Sequence, residues 1–132
     1  MIGLDTNVIV RFLTQDDSIQ SALAASLLGS LTPVQPGYIS PAVLVETYWV
    51  LRRGYRLPAK DVVSALLALV SSDEILVEHA DLVRTALRQA LEGHDFADAL
   101  IALDGVRRGC EFTATFDRHA SNLEGMKLLD SA

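Results

Sequence analysis

Five acidic side chains in this sequence occupy positions from which carboxylates could hold a cation. Asp5 follows the first apolar run, Glu46 lies within "AVLVETYWVL", Asp95 and Asp98 lie within "HDFADALIA", and Asp117 follows "EFTATF". Each aspartate has an alternative structural explanation as a helix N-cap or first-turn residue. Glu46 interrupts an apolar helical pattern, where an unpaired charge is costly unless it is hydrogen-bonded or bound to metal.

The spacing of Asp95 and Asp98 adds to this pattern. Residues three apart on a helix lie on one face, with Cβ atoms roughly 5–6 Å apart. Asp98 is followed directly by Ala99, Leu100 and Ile101, so we expect the helix to enter the core at this point. The two carboxylates are therefore expected at the first turn of a buried helix.

The apolar spacing predicts strands and helices that alternate along the whole chain. We predict strands over residues 2–5, 38–40, 74–78, 111–116 and 126–130, and helices over residues 7–13, 17–31, 40–53, 59–72, 79–93 and 95–109. Ser40 and Pro41 are a typical helix start, and Gly93 and Gly109 are typical helix ends. The alternation predicts a three-layer α/β/α domain with a central, mainly parallel sheet.

In such a sheet the strand ends that carry Asp5 and Asp117 meet at one edge, where ligands bind. Unpaired carboxylates gathered there would repel one another and raise their own pKa values, so a cation would be needed. Mg²⁺ or Mn²⁺ takes oxygen ligands of this kind. One cysteine and three histidines do not have the spacing of a closed zinc site.

The composition limits the possible classes of protein. With 132 residues we predict one domain over residues 1–132. Cys110 is the only cysteine, which excludes an intramolecular disulfide, and we expect it to be a small buried residue. We find no signal sequence and no membrane span, so we expect a cytoplasmic protein. The net charge of −6, taken alone, argues against a nucleic-acid partner.

Four motifs occur in a specific order: "LDTN", the internal glutamate of "VETYWVL", "HDFADALIA" and "TATFDRHA". The set resembles the PIN-domain ribonucleases, and most closely the VapC toxins of bacterial toxin–antitoxin pairs, from Ile2 to about Leu129. The resemblance implies a Mg²⁺-dependent endoribonuclease, with Mn²⁺ as a possible substitute. It also implies an RNA substrate, a small antitoxin that inhibits the toxin, and a homodimer.

Carried over residue by residue, the four acids of the family fall on Asp5, Glu46, Asp98 and Asp117. We predict Asp5 and Asp98 as direct metal ligands, with Glu46 and Asp117 completing the site and Asp95 at its rim. A hydroxyl that commonly supports the site in the family corresponds to Thr115.

Other residues have weaker assignments. Seven arginines are available for phosphate contacts, although arginine near helix ends is common: Arg11, Arg52, Arg53, Arg56, Arg107, Arg108 and Arg118. The apolar stretch around Tyr48 and Trp49 and the helix at 17–31 are candidate surfaces for a homodimer or an antitoxin, and at least one of the two aromatic residues is expected in the core. His94 and His119 are expected at the surface or in caps.

Three other functions would use a similar fold or a similar set of acids. A receiver-like signalling domain also binds Mg²⁺ at strand ends, but it requires adjacent acids where this chain has Asp5, Thr6 and Asn7. A phosphatase with an Asp-x-Asp pair fails for the same reason, because residue 7 is asparagine. A catalytically inactive PIN-like binding module would keep the fold without the chemistry, and only an assay separates it from a nuclease.

Overall fold

The computed structural model describes residues 1–130, so the last two residues of the predicted domain 1–132 lie outside the described part. The chain divides into two units, Met1–Ala80 and a second that begins at Asp81. Each unit combines helices with parallel strands, as the alternating sequence pattern predicts.

The first unit contains a three-stranded parallel sheet in the order β1 (Ile2–Gly3), β2 (Gly37–Ile39) and β3 (Ile75–Val77). Gly37 pairs with Ile2 on one side and with Ile75 on the other. A Cβ atom at Gly37 would lie 2.8 Å from Leu31 Cδ1 and 3.0 Å from Leu4 Cδ1, so packed side chains close over this glycine. A larger residue at position 37 would therefore require these side chains to shift.

Four α-helices surround this sheet in sequence: α1 (Thr6–Thr14), α2 (Ser18–Gly29), α3 (Pro41–Trp49) and α4 (Ala59–Val70). Asp17 caps α2 by accepting hydrogen bonds from the backbone amides of Ile19 and Gln20. The first strand is shorter than predicted, because Asp5 is the N-cap of α1 rather than the last residue of β1. Side chains of both sheet and helices form the core, which includes Ile9, Ile39, Leu44, Val63 and Leu66.

The third helix begins as predicted but ends differently. Ser40 Oγ accepts a hydrogen bond from Val43 N at 3.2 Å, and Pro41 occupies the first turn. The predicted continuous helix to Arg53 is wrong in detail, since Val50–Gly54 forms one π-helical turn. Apolar spacing over five residues does not distinguish a π turn from an α turn, so the sequence carried no signal for this change.

The second unit contains most of α5 (Ala80–Leu91), α6 (Phe96–Arg107), and the parallel strands β4 (Thr113–Thr115) and β5 (Met126–Leu128). A short 3₁₀ helix, Ala120–Asn122, precedes β5. Gly93 and Gly109 follow the two α-helices with φ values of 103° and 85°, as expected of helix-ending glycines. The apolar face of α5 and the start of α6 are buried through Val83, Ala86, Leu87, Phe96 and Ala99.

Two further expectations can be compared with the structure. Cys110 is exposed, so the expectation of a buried thiol is wrong. It lies just beyond the end of α6, after Gly109, where the chain has left the apolar face of the helix. Within residues 1–130, none of the helices combines the length and the apolar composition needed to cross a membrane.

Candidate metal centre

Asp5 and Glu46, the two candidate acids of the first unit, are connected by Thr6. The carboxylate of Asp5 caps α1, with Oδ1 accepting from the backbone amide of Thr6 at 2.8 Å. The hydroxyl of the same threonine donates to Glu46 Oε1 on α3. Thr6 is buried, with 4% of its surface exposed, whereas Asp5 and Glu46 are exposed. This one buried residue therefore holds one oxygen of each carboxylate.

Glu46 interrupts an apolar pattern in the sequence, but its side chain is exposed, and Leu44 and Thr47 form the buried face of α3. A charge at this position therefore avoids the cost of burial.

Thr6 was not identified by the sequence reasoning, although it stands in the "LDTN" motif beside Asp5.

Asp95 and Asp98 lie together at the start of α6. Asp95 is the N-cap, and its Oδ1 accepts a hydrogen bond from Asp98 N at 3.0 Å. The prediction placed both residues in the first turn, but only Asp98 is inside the helix. Asp98 is partly buried, while Asp95 is exposed.

The electrostatics of Asp98 are those expected of clustered carboxylates. Partial burial raises the pKa of Asp98 above its ordinary value, and the negative charges of Asp95 and Asp117 raise it further. The nearby His119 acts in the opposite direction, although its effect is smaller. A cation bound near Asp98 would therefore favour its ionised form.

Asp117 is oriented by three neighbouring groups. Its Oδ1 accepts hydrogen bonds from the backbone amides of His119 at 2.8 Å and Ala120 at 3.1 Å. Its own backbone amide donates to Thr115 Oγ1 at 3.0 Å. The resemblance implied that the Thr115 hydroxyl supports the site. In the structure this hydroxyl accepts a hydrogen bond from the backbone amide of Asp117, a candidate metal ligand.

His119 connects this loop to the turn before α6. Its Nε2 lies 3.0 Å from the carbonyl oxygen of Gly93, and because a carbonyl oxygen only accepts, Nε2 carries the proton. The ring of His94 lies beside it, with centroids 5.8 Å apart. His119 is exposed, as predicted, but no sequence pattern indicated that it joins the segments carrying Asp98 and Asp117.

The seven arginines fall into two groups. Three of them are in ion pairs with carboxylates: Arg11 with Asp16, Arg107 with Asp81, and Arg108 with Asp104. The Arg107 guanidinium lowers the pKa of Asp81 to about 2. Among the described residues, no ion pair holds the remaining four, which are Arg52, Arg53, Arg56 and Arg118.

The donor set can be tested against the predicted metal. Across residues 1–130, no group of three or more His, Cys, Asp or Glu side chains is arranged so that it could hold a metal ion. The chemistry of the individual donors nevertheless fits a hard divalent cation, because all the candidate ligands are carboxylate oxygens. The like-charge interaction that raises the pKa of Asp98 is also of the kind that such a cation relieves.

The comparison with known protein families agrees with the fold. The profile of the PIN domain matches residues 2–125, and the chain therefore belongs to the PIN-domain family. This confirms the predicted fold class, α/β with parallel strands in a three-layer α/β/α arrangement. The fold is a nuclease fold, typically metal-dependent. No curated protein matches the chain at a significant level.

Proposed function

We propose that this protein is a Mg²⁺-dependent endoribonuclease that acts as the toxin of a toxin–antitoxin pair. The main support is the cluster in the second unit, where Asp98 has a raised pKa beside Asp95 and Asp117. A PIN domain that retains its ordered acids is equipped for phosphodiester hydrolysis, and clustered carboxylates with perturbed pKa values are typical of functional sites.

The proposed roles follow from the sequence and from the contacts of each acid. Asp5 and Asp98 are the direct ligands of Mg²⁺, with Mn²⁺ as a substitute. Glu46 and Asp117 complete the site as ligands or as acceptors of water protons. Asp95 is peripheral, because the resemblance assigns the four acids of the family to other positions.

When bound, the cation neutralises phosphate oxygens, lowers the pKa of an attacking water and stabilises the leaving oxygen. The residues of the chain supply position and proton transfer. Thr6 holds one oxygen of Glu46, and the loop amides hold one oxygen of Asp117. Preorganised carboxylates of this kind need little rearrangement during the reaction.

The nuclease proposal is tested by mapping the ends of cleaved RNA. Purified protein is incubated with cellular RNA in Mg²⁺, and the new 5′ ends are sequenced beside those from Asp5→Asn and Asp98→Asn. Asp61→Asn is the matched control, because Asp61 is also an aspartate in the first turn of a helix. We expect internal cleavage sites with the wild type and the control only.

Identical fragments from the wild type and both site variants would overturn catalysis by these acids. RNA binding without any cleavage by the wild type would instead favour the inactive binding module.

The antitoxin proposal is supported by an apolar groove in the first unit. The groove has a volume of about 460 Å³ and is lined mostly by apolar side chains, including Phe12, Leu28, Leu31, Leu69 and Ile75. An apolar segment of a small antitoxin would bury this surface, and a homodimer remains a prediction.

Binding of an antitoxin is tested by co-expression with candidate small proteins encoded by genes that neighbour this one. Leu28→Glu places a charge in the groove and should reduce the recovered complex at least tenfold. Val34→Glu is the control, because Val34 is 93% exposed and is not among the residues that line the groove. Equal recovery with both variants would contradict this binding site.

A further inference from the structure

The segment that follows α3 carries a concentration of positive charge that is unusual in this acidic protein. Four of the eleven basic residues lie between Trp49 and Lys60: Arg52, Arg53, Arg56 and Lys60. No acidic residue occurs from Thr47 to Lys60, although the whole chain has a net charge of −6. We call Trp49–Lys60 the basic segment.

The cations of the basic segment are available to a partner. All four are exposed, and within the described part of the chain none of them forms an ion pair. Arg11, Arg107 and Arg108, in contrast, are each neutralised by an aspartate. Arg52 donates a hydrogen bond through Nη1 to the carbonyl oxygen of Leu57 at 2.9 Å, which holds the segment in a defined shape.

The backbone of the basic segment is also unusual. Val50–Gly54 forms a π-helical turn, and Arg56 adopts a left-handed conformation with φ of 55°. π turns are frequent at functional sites. A residue other than glycine that adopts the left-handed backbone conformation costs free energy. The conformation is fixed by backbone bonds from Tyr55 N to Val50 O and from Leu57 N to Leu51 O, both at 3.1 Å.

Trp49 adds an aromatic surface to these charges. Its side chain is 59% exposed, in contrast to the neighbouring Tyr48, which is 7% exposed and belongs to the core. Trp49 lies three residues after Glu46 on α3, a rise of about 4.5 Å along the helix axis. Residues at this spacing are neighbours on the helix surface, so the exposed indole lies beside a candidate catalytic acid.

From this combination we infer that the basic segment binds single-stranded RNA, with a base stacked on Trp49 and phosphates held by Arg52, Arg53 and Arg56. An aromatic side chain beside unpaired arginines is how proteins bind single strands without reading a long sequence. The inference rests on the proposed nuclease function and adds to it the part of the surface that receives the substrate. A strand seated here passes next to Glu46.

The chain contains a single tryptophan, so its fluorescence reports directly on this position. Asp98→Asn protein in EDTA, which prevents cleavage, is titrated with a ten-nucleotide single-stranded RNA at several salt concentrations. We expect quenching of Trp49 and a log–log salt slope of about −0.7 per phosphate contacted. Adding Arg53→Gln and Arg56→Gln should weaken binding at least tenfold and reduce the slope by about 1.4.

Arg88→Gln is the matched control, because Arg88 is an exposed arginine in the last turn of α5. It should leave both the affinity and the slope unchanged. Trp49→Phe, followed with a labelled RNA, should bind more weakly than the parent but more tightly than Trp49→Ala. Circular dichroism verifies that each variant is folded.

Two results would overturn the inference. One is an unchanged affinity and salt slope in the double arginine variant. The other is a Trp49 signal that depends on protein concentration rather than RNA, together with a dimer that Trp49→Ala converts to a monomer, which would make this surface an interface between copies.

The outcome is separable from that of the nuclease proposal. If the wild type cleaves RNA and the double arginine variant cleaves with the same KM, the inference fails and the nuclease proposal stands. If the RNA binds as expected but the wild type never cleaves it, the nuclease proposal fails and the binding surface stands.

Discussion

Asp98 is the residue at which structure and proposed chemistry are most closely connected. Its pKa is raised from 3.8 by partial burial and by Asp95 and Asp117. A carboxylic acid with a raised pKa favours the folded state while it is protonated. Its contribution to folding is therefore present below 3.8 and is lost as the pH rises through the higher folded-state value.

Asp98→Asn should consequently stabilise the metal-free protein at neutral pH. The amide removes the charge that Asp95 and Asp117 repel, so the melting temperature should exceed that of the wild type at pH 7. The difference should disappear below pH 3.8, where the wild-type carboxyl is neutral as well. Thermal unfolding in EDTA across this pH range tests the prediction, and a variant less stable than wild type at pH 7 would contradict it.

His119 gives a second prediction at the residue scale. His119→Ala removes the hydrogen bond to Gly93 O that connects the Asp117 loop to the turn before α6. We expect a loss of about 1 kcal/mol in the free energy of unfolding and a cleavage rate lowered about tenfold. In His119→Gln the side-chain amide can donate to the same carbonyl, so stability and rate should both recover. Equal rates for the two variants would exclude a positioning role.

For individual residues, the sequence indicated the candidate acids but not the side chains that contact them. Asp5 and Asp117 were recognised both as candidate N-caps and as candidate site residues, and each does accept backbone hydrogen bonds. The partners were not predictable, because the contacts of Thr6 with Glu46 and of His119 with Gly93 join residues far apart in sequence. Such contacts depend on tertiary packing, which the local spacing of residues does not indicate.

At the scale of elements, α3 carries both Glu46 and the beginning of the basic segment, so its N-cap should matter for both. Ser40→Ala removes the oxygen that accepts from Val43 N. We expect the free energy of unfolding to fall by about 1 kcal/mol, as is typical for loss of a serine cap. Chemical denaturation measures this change. Ser64→Ala, at an exposed position within α4, is the control that should cause no loss.

Most elements were predictable because their local signals agree. Ser40 with Pro41, Asp17, Gly93 and Gly109 each mark a helix boundary by a backbone requirement that the sequence shows directly. The π turn at Val50–Gly54 and the 3₁₀ helix at Ala120–Asn122 were not predicted. Short irregular turns are selected by the packing of their flanks, which no periodic pattern encodes.

At the scale of the whole molecule, membership in the PIN-domain family agrees with the predicted fold class and with a nuclease fold. The net charge of −6 initially argued against nucleic acid as a partner. Its distribution removes this objection, because four of the seventeen acids are candidate metal ligands and the basic segment contains no acid. The net charge of the whole chain therefore does not exclude a nucleic-acid partner.

The most direct test of the account is single-turnover cleavage of a labelled RNA by metal-free protein before and after addition of Mg²⁺. We predict no cleavage in EDTA, cleavage by wild type and Asp61→Asn after Mg²⁺ is added, and a rate at least about 100-fold lower for Asp98→Asn, as expected when a metal ligand is lost. Cleavage by Asp98→Asn at the wild-type rate, or cleavage that persists in EDTA, would contradict the account.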